Sequence, residues 1–254
     1  MNAYIAFCKK EFTESIRMFK SIIMLAVFIF LGILSPLTAK LIPDILNGTN
    51  LGGISITLPP PTAMDSWTQF FGNIGQMGVL VLVIVFCGIT ANELNKGTLI
   101  NILTKGMKRH TIILSKYTAA TVILLVSYCL SLAVTYAYTV YLWGSEELPH
   151  AFLAFVCPFI FGLFLLSLMI LGGILFKSYL GSLLSVGGVI LVLSLINISP
   201  KLQQFNPISL SAGTLALLNG QKTPDDFIPA LIICLALIIA LTVTSVTVFN
   251  RRQL

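Results

Sequence analysis

Apolar residues fall along this chain in six long runs, separated by shorter polar stretches. The runs cover Ser21–Leu41, Ile74–Ala91, Thr111–Trp143, Ala151–Phe176, Leu180–Ile198 and Phe227–Phe249. A helix needs about 20 apolar residues to cross a hydrocarbon layer about 30 Å thick. Each run therefore predicts one transmembrane helix. Inside lipid every backbone N–H and C=O must be satisfied locally, and a run of this kind does that as a helix. At 1.5 Å per residue the third run reaches about 50 Å, so its first turns are expected to project on one side. The first run follows a charged amphipathic stretch with no small-residue cleavage site, and reads as a retained span rather than a signal peptide. Pro36 within it is tolerated near a helix end or as a kink.

Three segments break this pattern. Within 1–20, Ile5, Cys8, Phe12, Ile16 and Phe19 fall on one helical stripe, with Lys10, Thr13, Glu14 and Arg17 opposite. That spacing predicts a helix lying in the membrane interface and bending near Lys20 into the first span. Residues 92–110, NELNKGTLINILTKGMKRH, have a different design. Asn92 is placed to cap a helix starting at Glu93, and Leu94, Leu99, Ile102 and Leu103 give that helix an apolar side. Lys105 suits its C-terminal end and Gly106 can close it. The reading is a short amphipathic helix joined to the second and third spans, able to press into a groove on a partner. Residues 199–226 include FNPISLSAGTLALLNG, too short to span, and predict a re-entrant or short outer helical hairpin before the last span. Residues 42–72 are read as an outer loop, stiffened by Pro59-Pro60-Pro61. Trp67 and Trp143 are expected as interfacial anchors. No repeat divides the chain, and 1–254 reads as a single transmembrane domain.

Composition and charge sharpen this picture. The chain is 57% hydrophobic and 9% charged, against about a quarter charged in soluble domains. The net charge of +6 is not spread evenly. Lys9, Lys10, Arg17, Lys20, Lys96, Lys105, Lys108, Arg109, Lys116, Lys177, Arg251 and Arg252 fall at the termini and in alternate loops. The other loops hold Lys40, Lys201 and Lys222. Basic residues mark the cytoplasmic side, so both termini are expected there. The charge reports topology, and no nucleic-acid partner is expected. The five cysteines, Cys8, Cys87, Cys129, Cys157 and Cys234, form no CxxC pair and read as small packing residues.

Candidate chemistry is sparse. The central parts of the apolar runs carry no ionisable residue, whereas ion-coupled carriers and intramembrane hydrolases need such groups. His110 and His150 fall on opposite sides, too far apart for a shared metal. There is no GxxxxGK[ST] loop for nucleotide phosphates and no GxSxG elbow. No catalytic residue, metal site or bound cofactor is assigned, and the chain is not read as an enzyme. Span hydroxyls such as Ser127, Thr135, Ser167 and Ser185 read mostly as helix packing. A gradient-driven carrier or channel, or a membrane enzyme giving antibiotic resistance, are the alternatives to a protein that borrows its energy from a partner.

The stretch ELNKGTLINILTKGMKRHTIILSK resembles the loop between the second and third spans of type-2 ABC transporter permeases. Glu93, Lys96, Gly97, Thr98, Leu99, Leu103, Lys105, Arg109 and Lys116 stand at matching positions. Gly106, Lys108 and Ser115 stand where proline, serine and glycine are usual. The N-terminal segment resembles that family's elbow helix, and PPPTAMDSW its first outer loop. The resemblance implies an all-α membrane protein of six transmembrane helices with an elbow helix at 1–20 and a cytoplasmic coupling helix within 92–110. It implies that Glu93, Leu94, Lys96, Gly97, Thr98, Leu99, Ile102, Leu103 and Lys105 dock on a separate ATP-binding subunit, with Lys108 and Arg109 as rim charges. It also implies two copies of that subunit carrying ATP and Mg, a second permease chain, and an exported substrate. An amphipathic or antimicrobial peptide, or a hydrophobic drug, suits the uncharged spans.

Overall fold

The computed structural model describes residues 3–48, 60–97, 107–145 and 148–251. Every described element is a helix or turn. A short helix α1 (Ala3–Arg17) precedes the long α2 (Lys20–Gly48). The second span is a stack of α3 (Ala63–Asn73), a π-helical turn at Ile74–Gly78, α4 (Val79–Phe86) and α5 (Gly88–Asn95). Then come α6 (Arg109–Trp143), α7 (Ala151–Phe176) and α8 (Tyr179–Ile196). Three short helices follow, α9 (Pro200–Gln203), α10 (Ser209–Ala212) and α11 (Thr214–Leu218), and then a single 3-10 turn at Pro224–Asp226. The last described helix is α12 (Ile228–Arg251). Among the described residues, six helical stretches are long and apolar enough to cross a membrane: Lys20–Pro43, Ala63–Asn95, Arg109–Trp143, Ala151–Phe176, Tyr179–Ile196 and Pro224–Arg251.

The six-span, all-helical architecture is the one the apolar runs predict. The bend expected near Lys20 falls at Met18–Phe19, where Phe19 adopts φ +60°. That is an unusual conformation for a bulky residue. Pro36 lies inside α2, as does Pro43.

The second span differs from expectation at its start. The stretch around Asp65-Ser66-Trp67, read as outer loop, is the first turns of α3. Thr62 and Asp65 form a capping box there, with the Thr62 backbone N–H donating to the Asp65 carboxylate at 2.8 Å. Trp67 is correspondingly no interfacial anchor. It is 2% exposed and packs 5.1 Å from Phe155, ring centre to ring centre. Polar residues in α3 hid from hydropathy a helix whose other face is buried. Trp143 is part-buried and donates its indole N–H to the Pro61 carbonyl at 2.7 Å. The ends of the second and third spans are tied by that bond.

The core sits around α7, with Phe161, Phe164, Leu165, Met169, Ile170 and Ile174 buried. It packs against α5, α8, α10, α11 and α12. The 199–226 segment is seated on it through Leu210, Leu217 and Leu218, all fully buried. The α2–α6 contact is held by close backbone approach and hydroxyls. Ser131 donates to the Phe28 carbonyl at 2.6 Å, and Thr135 to the Gly32 carbonyl at 3.0 Å. Such packing suits helices in lipid, where apolar burial gives little drive to associate. The outer helices carry apolar stripes outward. Leu180, Leu184, Leu191 and Leu195 on α8 and Ile228, Ile232, Ile239 and Val243 on α12 are all exposed.

Candidate functional site

One end of the bundle gathers α1, the end of α5, the start of α6 and the end of α12. Residues Phe7, Glu11 and Ser15, four apart on α1, face the bundle and are buried. They bring Glu11 against Lys116, in the second turn of α6. Lys116 follows Ile112 and Ile113 and precedes Ala119, Ala120 and Ile123 on the buried face of that helix. It is only 1% exposed. An ammonium there is expensive unless paired and hydrogen-bonded.

Four residues form a closed ring of alternating charge. Lys116 Nζ lies 2.8 Å from Glu11 Oε2 and 2.8 Å from Glu93 Oε2. The other carboxylate oxygens turn to Lys10, whose Nζ lies 2.9 Å from Glu11 Oε1 and 3.1 Å from Glu93 Oε1. Glu14 adds a fifth contact, 2.7 Å from Lys10 Nζ. The carboxylates of Glu11, Glu14 and Glu93 converge within 4.8 Å, a spacing that could hold a cation, and the Lys10 ammonium stands among them. Burial works against a charged Lys10, but the carboxylates of Glu14 and Glu11, with Glu93 behind them, raise its pKa above the ordinary lysine value. Tyr4 and Thr118 hydroxyls, 2.6 Å apart, pin the beginning of α1 to the same helix.

A cavity of about 340 Å³ opens beside the ring. Its charged wall includes Lys20 and Lys96 with the ring residues, and its apolar wall includes Phe86, Ile89 and Ile123. A second cavity, about 260 Å³, lies between the π-helical turn and the short helices, lined by Gly72, Gly75, Gln76, Ile208, Ser211 and Thr214 among others.

The residues predicted to meet an ATP-binding subunit are placed as follows. Asn92 does not cap a new helix, because α5 runs unbroken through it to Asn95. The helix closes instead at Gly97, which adopts φ +68°, and the Gly97 N–H donates to the Leu94 carbonyl at 3.3 Å. Glu93 faces inward to the ion ring, and Leu94 is 9% exposed in the hydrophobic core. Lys96 is exposed. Thr98, Leu99, Ile102, Leu103, Lys105 and Gly106 lie outside the described residues. Lys108 is exposed. Arg109 turns back to α12, donating from Nη1 to the Phe249 carbonyl at 2.7 Å and to the Asn250 carbonyl at 2.9 Å. A cation satisfying the last carbonyls of a helix is favourable there. Ile5, Phe12 and Ile16 on α1, and Phe19 just beyond its end, are exposed, with Cys8 part-buried.

Glu11 and the enclosure of Lys116 escaped the sequence reading. Both carry a periodic signal. Glu11 shares a four-residue spacing with Phe7 and Ser15, and Lys116 falls on the apolar stripe of α6.

These features define a class: an all-α, multi-pass membrane protein whose charged cluster lies at one end of the bundle. Residues 59–254 match the family described as "Protein of unknown function (DUF2705)", and the chain belongs to that family. It is also similar to the "Uncharacterized transmembrane protein YxlG" of Bacillus subtilis (strain 168), 22% identical over 257 residues that cover 100% of this chain and 99% of the relative.

Proposed function

We propose that this chain is the transmembrane permease subunit of an ATP-driven exporter of the type-2 ABC class. In this reading both termini and the ion ring are cytoplasmic, in the cell membrane of a bacterium. The observation that carries the proposal is the attachment of the 98–106 segment. It begins five residues after Glu93, beyond the end of α5, and precedes α6, where Lys116 stands, and those two residues are bridged at 2.8 Å. The same ring holds α1. A push delivered to residues 98–106 by a partner therefore reaches α1, the second span and the third span together. A lever needs that stiffness, and salt bridges sheltered from water are screened less than exposed ones.

In this reading ATP and Mg belong to two partner subunits, and two permease chains enclose the pathway. The substrate is an amphipathic or antimicrobial peptide, or a hydrophobic drug, because the spans offer hydroxyls and apolar surface without central charge. One observation favours the gradient-driven carrier instead: Lys116 with Glu11 and Glu93 is a sheltered ionisable set of the kind such carriers use. Its position at the bundle's end rather than mid-span weighs against that role.

The test is co-purification of the chain with an ATP-binding subunit encoded beside it, followed by ATP-dependent transport in vesicles. Leu99→Asp and Leu103→Asp are expected to abolish subunit capture or transport. Full capture and transport by both variants, or transport driven by a proton gradient without ATP, sinks the reading.

A further inference from the structure

The cavity beside the ion ring has a charge that the ring does not use. Four lysines, Lys10, Lys20, Lys96 and Lys116, line it with three glutamates, Glu11, Glu14 and Glu93. Lys10 and Lys116 are paired with those carboxylates. Lys20 and Lys96 make no ion pair with any described residue. Lys20 is part-buried, and the chain has shaped its approach. The φ +60° bend at Phe19 leaves that ring 62% exposed and sets the next residue, Lys20, on the cavity wall. The apolar part of its lining is Phe86, Ile89 and Ile123 with Ala119 and Ala120. The exposed Ile5, Phe12, Ile16 and Phe19 stripe places α1 at the boundary between head groups and acyl chains.

We propose that this cavity binds one anionic phospholipid, its phosphate paired with Lys20 and Lys96 and an acyl chain laid on Phe86, Ile89 and Ile123. Lysine-lined pockets between membrane helices recognise acidic head groups. Among the described lining residues four lysines against three glutamates leave one surplus positive charge (4 − 3), which a single phosphodiester matches. A nucleotide or other polyanion would meet the carboxylates of Glu11, Glu14 and Glu93, and like charges at close range in a sheltered site repel strongly. A free phosphate would leave the apolar wall wet. A zwitterionic lipid would bring its own cation to a site already holding an excess.

The experiment uses the full chain purified in an uncharged detergent, titrated with phosphatidylglycerol, phosphatidylcholine or glycerol phosphate. Bound lipid is counted by native mass spectrometry. Phosphatidylglycerol is expected to be retained at one per chain, well above phosphatidylcholine. Lys20→Gln and Lys96→Gln should each weaken retention roughly fivefold, the worth of one lysine against an acidic head group. Lys40→Gln and Lys201→Gln, exposed lysines outside the cavity, should leave it unchanged. Ile123→Trp fills the apolar wall without altering charge and should also weaken retention. Ile123 is buried, so the exposed Lys96→Gln decides the matter if Ile123→Trp does not fold. Equal retention of phosphatidylcholine, unchanged retention in Lys20→Gln, Lys96→Gln or Ile123→Trp, or equally tight binding of glycerol phosphate would each overturn the proposal.

Discussion

Lys116 shows how little a residue's type says about its role without its surroundings. By sequence it is one more cation in a basic segment. In the fold it is enclosed, with two carboxylates at 2.8 Å. Removing one member of a buried pair leaves the others uncompensated, at a cost of about 3–5 kcal/mol, whereas replacing the set with apolar groups is far milder. Lys116→Met is therefore expected to lower the thermal unfolding midpoint sharply. Lys116→Met combined with Glu11→Gln and Glu93→Gln should recover much of the loss. A triple variant no more stable than the single would show that the ring's charges are not coupled. Lys10 is half exposed, so its own share is smaller.

At the scale of elements, close helix contact decides more than hydropathy. Gly32 on α2 stands so near α6 that an added Cβ would meet the Ser131 carbonyl oxygen at 2.7 Å. Backbone cannot step aside as a flexible side chain can. Gly32→Ala should cost about 1–3 kcal/mol, the range for overpacking a tight contact. Gly72→Ala, where nothing lies within 4 Å of the new atom, should be nearly silent in the same unfolding measurement. Element boundaries were legible where an apolar run was continuous, as in α7, whose limits Ala151 and Phe176 coincide with the run. They were not legible in α3, where Asp65, Thr68 and Gln69 lower the local hydropathy while Trp67, Phe70 and Phe71 fill the core. Asn92 misled for a related reason. A residue that favours caps is also accepted inside a helix held by its neighbours, and Gly97, with its positive φ, was the true stop.

At the scale of the whole molecule, a bundle is stable either way up without a membrane to sort its charges. The positive-inside bias makes a definite prediction. In a variant whose five cysteines are replaced by serine or alanine, Lys222→Cys should react with a membrane-impermeant maleimide in intact cells. Lys177→Cys, in the exposed turn between α7 and α8, should react only after the cells are opened. The reverse pattern would invert the topology and place the ion ring outside, away from any cytosolic ATP-binding partner. Exposed apolar residues face outward on α8 and α12, as do Ile22, Ile23 and Phe30 on α2.

The sequence alone determined the class and the number of spans, because hydrocarbon admits only segments that satisfy their own backbone, and six runs here are long enough to do so. It also marked the amphipathic α1 through its period. What only tertiary structure decided is which charges meet. Lys10, Glu11, Glu93 and Lys116 are up to 106 positions apart (116 − 10), and no local pattern states that three chain segments converge on one point. The cost of burying Lys116 is met by Glu11 and Glu93, so its role exists only in the assembled bundle.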